Sequence, residues 1–320
     1  MSAGSPPHSS AAHPSAADRR LAEIGVLGVM VLWAGNFIVV KSALGELPPV
    51  GFTFLRFILV TATLFVLLRW REGSVAVPRR DCLAIMGFGA LGFGVYQILW
   101  TTGLTTVAAG DSALIIAATP VLVALLAVVA RTDVLTPPKL AGVLLSFAGV
   151  AVVIASGPGL SIGGSLAGEL ITLGATFCWA VYTAYAGPYL RRYSPLRATA
   201  WASLAGTIVL APLGVIQLGG VDASQLGPEA LAAVLYSGFL SSGIANVVVM
   251  NGVMVVGPTR TAALQFLVPA LAVVFAAIFL DEAIRPGQIA GGAIIVGGVL
   301  LTRWTPRTVG TMAGRAGARR

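Results

Sequence analysis

Ten apolar runs, each near the length of a membrane-crossing helix, follow one another along the chain and leave little room for any other architecture. They fall near 21–42, 50–69, 82–102, 107–130, 138–156, 165–187, 196–218, 229–251, 259–280 and 286–303. A helix of about 20 apolar residues crosses the hydrocarbon core. Between the runs stand turn and boundary residues: Pro48-Pro49, Pro78 with Arg79-Arg80, Pro137-Pro138, Gly157-Pro158-Gly159, Pro195, Gly227-Pro228, Gly257-Pro258 and Pro286. The third and fourth runs almost merge, so nine spans is the competing count. With 57% hydrophobic and 10% charged residues among 320, the chain lacks the charge to coat a soluble surface; soluble domains carry roughly 25%. A soluble enzyme, a nucleic-acid binder and a disordered chain are excluded.

Charge decides the count. With ten spans and the N-terminus inside, every one of the 20 lysines and arginines lies on the cytoplasmic side, except Lys41 and Arg285 outside and Arg56 within the bilayer. Nine spans would scatter the same charges over both faces, against the positive-inside rule. The expected fold is all-α and integral to the membrane, with ten transmembrane helices and both termini cytoplasmic. A net charge of +8 then faces the anionic inner leaflet rather than nucleic acid. Residues 1–20, rich in Ser, Ala and Pro, read as a disordered cytoplasmic tail, and 305–320 as a basic one. Cys82 and Cys178 lie apart within apolar runs and form no disulfide or metal pattern.

The two halves repeat. A shift of 146 residues aligns Glu23 with Glu169, Trp33-Ala34 with Trp179-Ala180 and Pro49 with Pro195. A shift of 149 aligns Gly103 with Gly252, Pro120 with Pro269 and Pro137 with Pro286. Ordered matches of Trp and Pro mark a repeat better than matches of Ala or Leu do. The copies cover 21–156 and 165–304. Each holds five spans, an odd number, so the second enters the membrane from the opposite side. Inverted five-helix repeats are an architecture of secondary transporters, with the substrate near the midplane between them and exposed to each side in turn.

The stretch Trp33-Ala34-Gly35-Asn36-Phe37 with Lys41, Pro48-Pro49 and Arg56 resembles the opening of EamA-like proteins of the drug/metabolite transporter superfamily. The run from Pro269 through Leu280-Asp281-Glu282 to Pro286-Gly287-Gln288 and Gly291 resembles that family's closing signature. The resemblance covers roughly residues 21–304. It implies ten helices, two EamA repeats and transport of small metabolites, often amino acids, usually outward. The halves depart from symmetry at Arg56, which falls on Ala202.

No catalytic constellation is visible. The histidines, His8 and His13, lie in the N-terminal tail, Asp281 and Glu282 are adjacent and point apart, and no cofactor or metal motif occurs. The chain therefore reads as no enzyme. Polar and aromatic residues at depth are more informative, because each is costly against lipid and turns inward. Trp33 and Asn36 share a face of the first helix, and Trp179 and Tyr182 form the matching stripe in the sixth. Tyr96, Gln97 and Trp100 cluster in the third; Thr119, Asn246 and Gln265 stand in the fourth, eighth and ninth. Together they describe an aromatic cavity with a few amides and hydroxyls, suited to a small amphipathic solute.

Bland readings stand beside these. Trp33 and Trp179 also fit packing within the repeat, Tyr96 and Trp100 an interfacial belt, and Thr119 a bond to its own helix. Arg56 fits either a substrate carboxylate or a structural clamp on backbone carbonyls, the clamp being simpler. Glu23 and Glu169 begin their spans, where a carboxylate offsets the helix dipole. No Asp or Glu lies at a span centre, which disfavours antiport of cations against protons; another coupling proton and downhill facilitation stay open. Pro120 and Pro269 each free a carbonyl one turn earlier, which predicts kinked, cavity-lining helices that hinge. The chain thus reads as a secondary transporter exporting a small metabolite through the bacterial cytoplasmic membrane, as a monomer or homodimer. The alternatives are an exporter of lipophilic drugs and, from another class, a non-transporting membrane enzyme or sensor.

Overall fold

Prolines open many of the helices. In a computed structural model that describes residues 15–131, 134–157, 165–185, 192–222, 226–256, 261 and 264–302, Pro49, Pro137, Pro195, Pro228 and Pro286 each take a first helical position. There the missing N–H has no intrahelical partner to lose and the ring presets φ. In chain order the helices are α1 Ala16–Ala43, α2 Pro49–Glu72, α3 Arg79–Gly89, α4 Tyr96–Leu104, α5 Ala109–Ile116, α6 Thr119–Val129, α7 Pro137–Ala155, α8 Ser165–Tyr185, α9 Pro195–Leu218, α10 Pro228–Leu235, α11 Ala245–Val255, α12 Leu267–Phe279 and α13 Pro286–Thr302. A π-helical stretch, Ala90–Val95, joins α3 to α4, and another, Tyr236–Ile244, joins α10 to α11.

Among the described residues, eight helical stretches are long and apolar enough to cross a membrane: α1, α2, α3–α4, α5–α6, α7, α8, α9 and α10–α11. Helices α12 and α13 are apolar and shorter. Large apolar side chains stand outward on many of them, Ile24, Val66, Leu144, Ile208 and Phe279 among these. An apolar exterior of that extent needs lipid as its solvent, and the protein is a multi-pass membrane protein.

Helix α1 begins ahead of the expected span. Ser15 Oγ accepts from the Asp18 N–H at 3.1 Å while Asp18 accepts from the Ser15 N–H at 3.0 Å. This capping box nucleates a helix over residues 16–20, which had been expected in the tail. Glu23 consequently falls beyond the first turn of α1, and Glu169 lies beyond the first turn of α8, so neither occupies the dipole position expected of it. The rest of the expected tails, the breaks at Pro158-Gly159 and Gly257-Pro258, and Arg191 and Arg260 lie outside the described residues.

Both prolines of the aligned pair sit at helix interruptions. α5 ends at Ile116, the chain turns at Ala117–Ala118, and α6 resumes with Thr119-Pro120. Proline leaves the Ile116 carbonyl without its helical donor, and Thr119 Oγ donates to that carbonyl at 2.6 Å. In the ninth run Val268 N–H donates to Gln265 O at 3.1 Å, and α12 begins just before Pro269. Elsewhere small residues let helices touch. α7 lies along α13, where a β-carbon at Gly142 would stand 2.6 Å from Gly298 O and one at Gly149 2.8 Å from Gly291 O.

Candidate functional site

Among the described residues Arg56 is the largest fully buried side chain, 2% exposed, in a predominantly apolar helix. Its Nη1 donates to Ser237 Oγ at 2.7 Å, and that hydroxyl donates to Asn36 Oδ1 at 2.6 Å. Its Nη2 donates to Gln97 Oε1. The guanidinium carbon lies 5.8, 5.5 and 5.2 Å from the ring centroids of Phe52, Phe57 and Trp100. The hydrogen-bond partners are neutral, Nε has none, and no carboxylate pairs with Arg56 among the described residues. Burying a cation costs several kcal/mol. Rings facing it return about 0.5–2 kcal/mol each. The result is a positive site whose donors outnumber its acceptors, the condition under which a carboxylate binds with charge-assisted hydrogen bonds.

Aromatic side chains extend from this point. Trp100 meets Phe37 edge-on at 5.5 Å, stacks on Tyr96 at 6.3 Å, and donates from Nε1 to Ser112 Oγ at 3.1 Å. Tyr96 reaches Trp179 at 5.4 Å, and Trp179 reaches Tyr182 at 5.2 Å. Helices α1, α2, α4 and α8 thereby place Asn36, Arg56, Tyr96, Gln97, Trp100, Trp179 and Tyr182 in one connected cluster. Trp100 is only 3% exposed, so an interfacial belt does not describe it.

Other candidates go elsewhere. Trp33 Nε1 donates to Ser241 O at 2.9 Å amid Val26, Met30 and Ala245, a packing contact. Asn246 turns its amide onto Ser242 O of its own helix, and Thr119 satisfies the broken backbone before Pro120. Gln265 is exposed and apart from the cluster. The sequence reading missed Ser237, Phe52 and Phe57. Ser237 falls off the regular helical stripe of Ser242 and Asn246. The π-helical turn, with its i→i+5 bonding, rotates Ser237 onto the Arg56 side, and no side-chain periodicity announces that turn. Phe52 and Phe57 flank Arg56 within α2 and were legible as its neighbours.

A second polar group lies at the end carrying Lys41 and Arg285. Lys41 Nζ donates to Leu104 O at 2.7 Å and to Val107 O, so it closes an α4 turn rather than reaching for solvent. Glu282 accepts from the Ala109 and Gly110 N–H groups at 2.9 and 3.3 Å, supplying the negative charge that the α5 N-terminus favours. Asp111 accepts from Arg285 and, at 2.8 Å, from Gln288 Nε2.

The model of the EamA-like transporter family matches residues 20–155 and again 166–304. An uncharacterized transporter of Archaeoglobus fulgidus is 32% identical over 85% of this chain and 94% of its own. A probable terminal-alkyne amino-acid exporter of Streptantibioticus cattleyicolor is 30% identical over 85% of this chain and 90% of its own. A probable amino-acid metabolite efflux pump of Salmonella typhimurium is 27% identical over 85% and 91%. One solved structure superposes with a TM-score of 0.61 at 20% identity, covering 89% of this chain and 97% of that one.

Proposed function

Because the chain belongs to the EamA-like transporter family of the drug/metabolite transporter superfamily, we propose that it exports a small amphipathic metabolite bearing a carboxylate, an amino acid or a close relative, across the bacterial cytoplasmic membrane. One observation carries the substrate class: Arg56 is buried with neutral partners, an idle Nε and aromatic walls. The substrate carboxylate takes the idle guanidinium donors and displaces Gln97, while its apolar part lies along Trp100, Tyr96 and Trp179. Outward direction is supported by the relatives named for amino-acid efflux.

The same proposal includes ten spans in two inverted repeats, 21–156 and 165–304, with both termini cytoplasmic. The lysine and arginine distribution and the two family matches support it. Rocking of one repeat against the other, hinged at the interruptions before Pro120 and Pro269, then exposes Arg56 to each side alternately. The test is counterflow of labelled amino acids in proteoliposomes. Arg56→Leu is expected to cut exchange by about tenfold to a hundredfold, the loss of one charged hydrogen-bond pair, while the unfolding temperature holds or rises. A falling unfolding temperature with exchange intact would establish the clamp instead. Retained efflux of lipophilic cations in Arg56→Leu would favour a drug exporter, a reading the aromatic cluster also accommodates.

A further inference from the structure

Glu169, in α8, is 1% exposed, and its Oε1 has no hydrogen-bond partner among the described residues. The charges that face it are Asp111 from α5 and Arg285 from the segment before α13. A β-carbon at Gly157 would stand 3.0 Å from Glu169 Oε1 and 3.7 Å from Arg285 Nη1, so both groups point at one spot. Arg285 is already engaged: Nη1 donates to Ser156 O at 2.7 Å and Nη2 to Asp111, itself 1% exposed. The other helices against α8 bring no further charge to this end. α6 holds no ionisable residue, α3 carries Arg79, Arg80 and Asp81 at its far end, and Tyr96 of α4 meets α8 at Trp179. Lys41 faces Glu282 and Asp111 nearby.

The charge count does not close. Two cations, Lys41 and Arg285, meet three carboxyls, Asp111, Glu169 and Glu282. Glu282 accepts two backbone N–H bonds and Asp111 two side-chain bonds, so those two hold negative charge well. Glu169 holds it badly, because a buried carboxylate oxygen that finds no donor keeps the cost of leaving water. We infer that Glu169 is a proton-binding site that locks this end of the transporter. With the proton on Glu169, the cluster is neutral and α5, α8 and the start of α13 stay together. When that end opens, water reaches the carboxyl and the proton passes to the bulk on that side. The cluster then carries one more carboxylate than its two cations neutralise, and repulsion between the Asp111 and Glu169 carboxylates favours the open end. This rests on the proposed topology, which places Lys41 and Arg285 outside, and it makes the outer pH a brake on export.

Two measurements test it, the first without any substrate. Infrared spectra of the reconstituted protein should show a protonated carboxyl C=O band near neutral pH that disappears in Glu169→Gln. The band should also disappear in Asp111→Asn, which frees Arg285 to pair with Glu169. A wild type without that band, or a band that survives in Glu169→Gln, would overturn the proposal whatever the protein transports. In counterflow, wild-type exchange should fall several-fold as the outside pH is lowered, Glu169→Asp should keep that dependence, and Glu169→Gln should be slow and flat. Wild-type exchange blind to outside pH would remove the lock. An infrared band as expected with no amino acid exchanged would leave the proton site standing and remove the substrate reading.

Discussion

Gly89 and Gly238 hold matching places in the two halves, and each lies against the backbone of a neighbouring helix. A β-carbon at Gly89 would stand 2.6 Å from Ala202 O, and one at Gly238 2.8 Å from Arg56 O. The shift of 149 aligns Gly89 with Gly238 and the shift of 146 sets Arg56 on Ala202, so one close crossing is built twice, over alanine and over arginine. Over Ala202 the space is filled by Ile85, Tyr182 and Trp179, with no polar group needed. Over Arg56 the guanidinium instead recruits Ser237 and Gln97 beneath three rings. The crossing thus does not depend on an arginine. That favours the binding role proposed for Arg56 over the clamp, since a clamp required by the packing would be required on both sides.

The comparison breaks most visibly if the two crossings are made alike. Ala202→Arg places a cation among Ile85, Trp179 and Tyr182, where no carboxylate or amide stands to pair with it and the Tyr182 hydroxyl is engaged with Thr199. The expected loss is about 3–5 kcal/mol, the cost of an uncompensated buried charge, read as a collapse of the monodisperse peak in detergent. A stable Ala202→Arg protein would show that this site has polar capacity after all. Next comes the crossing itself. Gly89→Ala should cost about 1–3 kcal/mol by overpacking against backbone, whereas Gly28→Ala, with nothing within 4 Å of its new β-carbon, should be neutral or slightly stabilising in thermal unfolding. Equal effects at the two glycines would dissolve the claim of a close approach. A smaller effect is expected at the hydroxyl. Ser237→Ala removes one neutral partner of Arg56 and should weaken apparent substrate affinity by about tenfold, one charged hydrogen bond. Smallest of all, Asn246→Leu should shift stability within about 0.5 kcal/mol and leave counterflow as in wild type, because that amide serves its own helix.

Helix starts were legible because proline carries its own reason for standing first. Eight long apolar spans among the described residues were legible because the bilayer sets their length, while α12 and α13 are shorter; the interruptions before Pro120 and Pro269 were legible because a lost N–H must show up one turn earlier. Arg56 was legible as a lone charge at depth. Its surroundings were not. Ser237 comes round to it through a π-helical turn, and Trp100, for which a cavity wall and an interfacial belt both stood open, is a buried wall because α1 and α5 close over it with Phe37 and Ser112. Glu169 was misplaced for a simpler reason: α8 starts at the expected residue 165, which already sets Glu169 one turn past the N-terminal backbone donors that would have held its charge.

Hydropathy and proline placement, both local, were enough to make this chain a bundle of membrane helices, because lipid demands that each segment satisfy its own backbone. The scarcity of charge singled out Arg56, since a cation in hydrocarbon has few excuses. Which neutral groups would meet that cation, and which carboxyl among Asp111, Glu169 and Glu282 would be left without a donor, depended on helix rotation and crossing. Those are set by glycines pressed against a partner's backbone, and one strand of sequence does not name the partner.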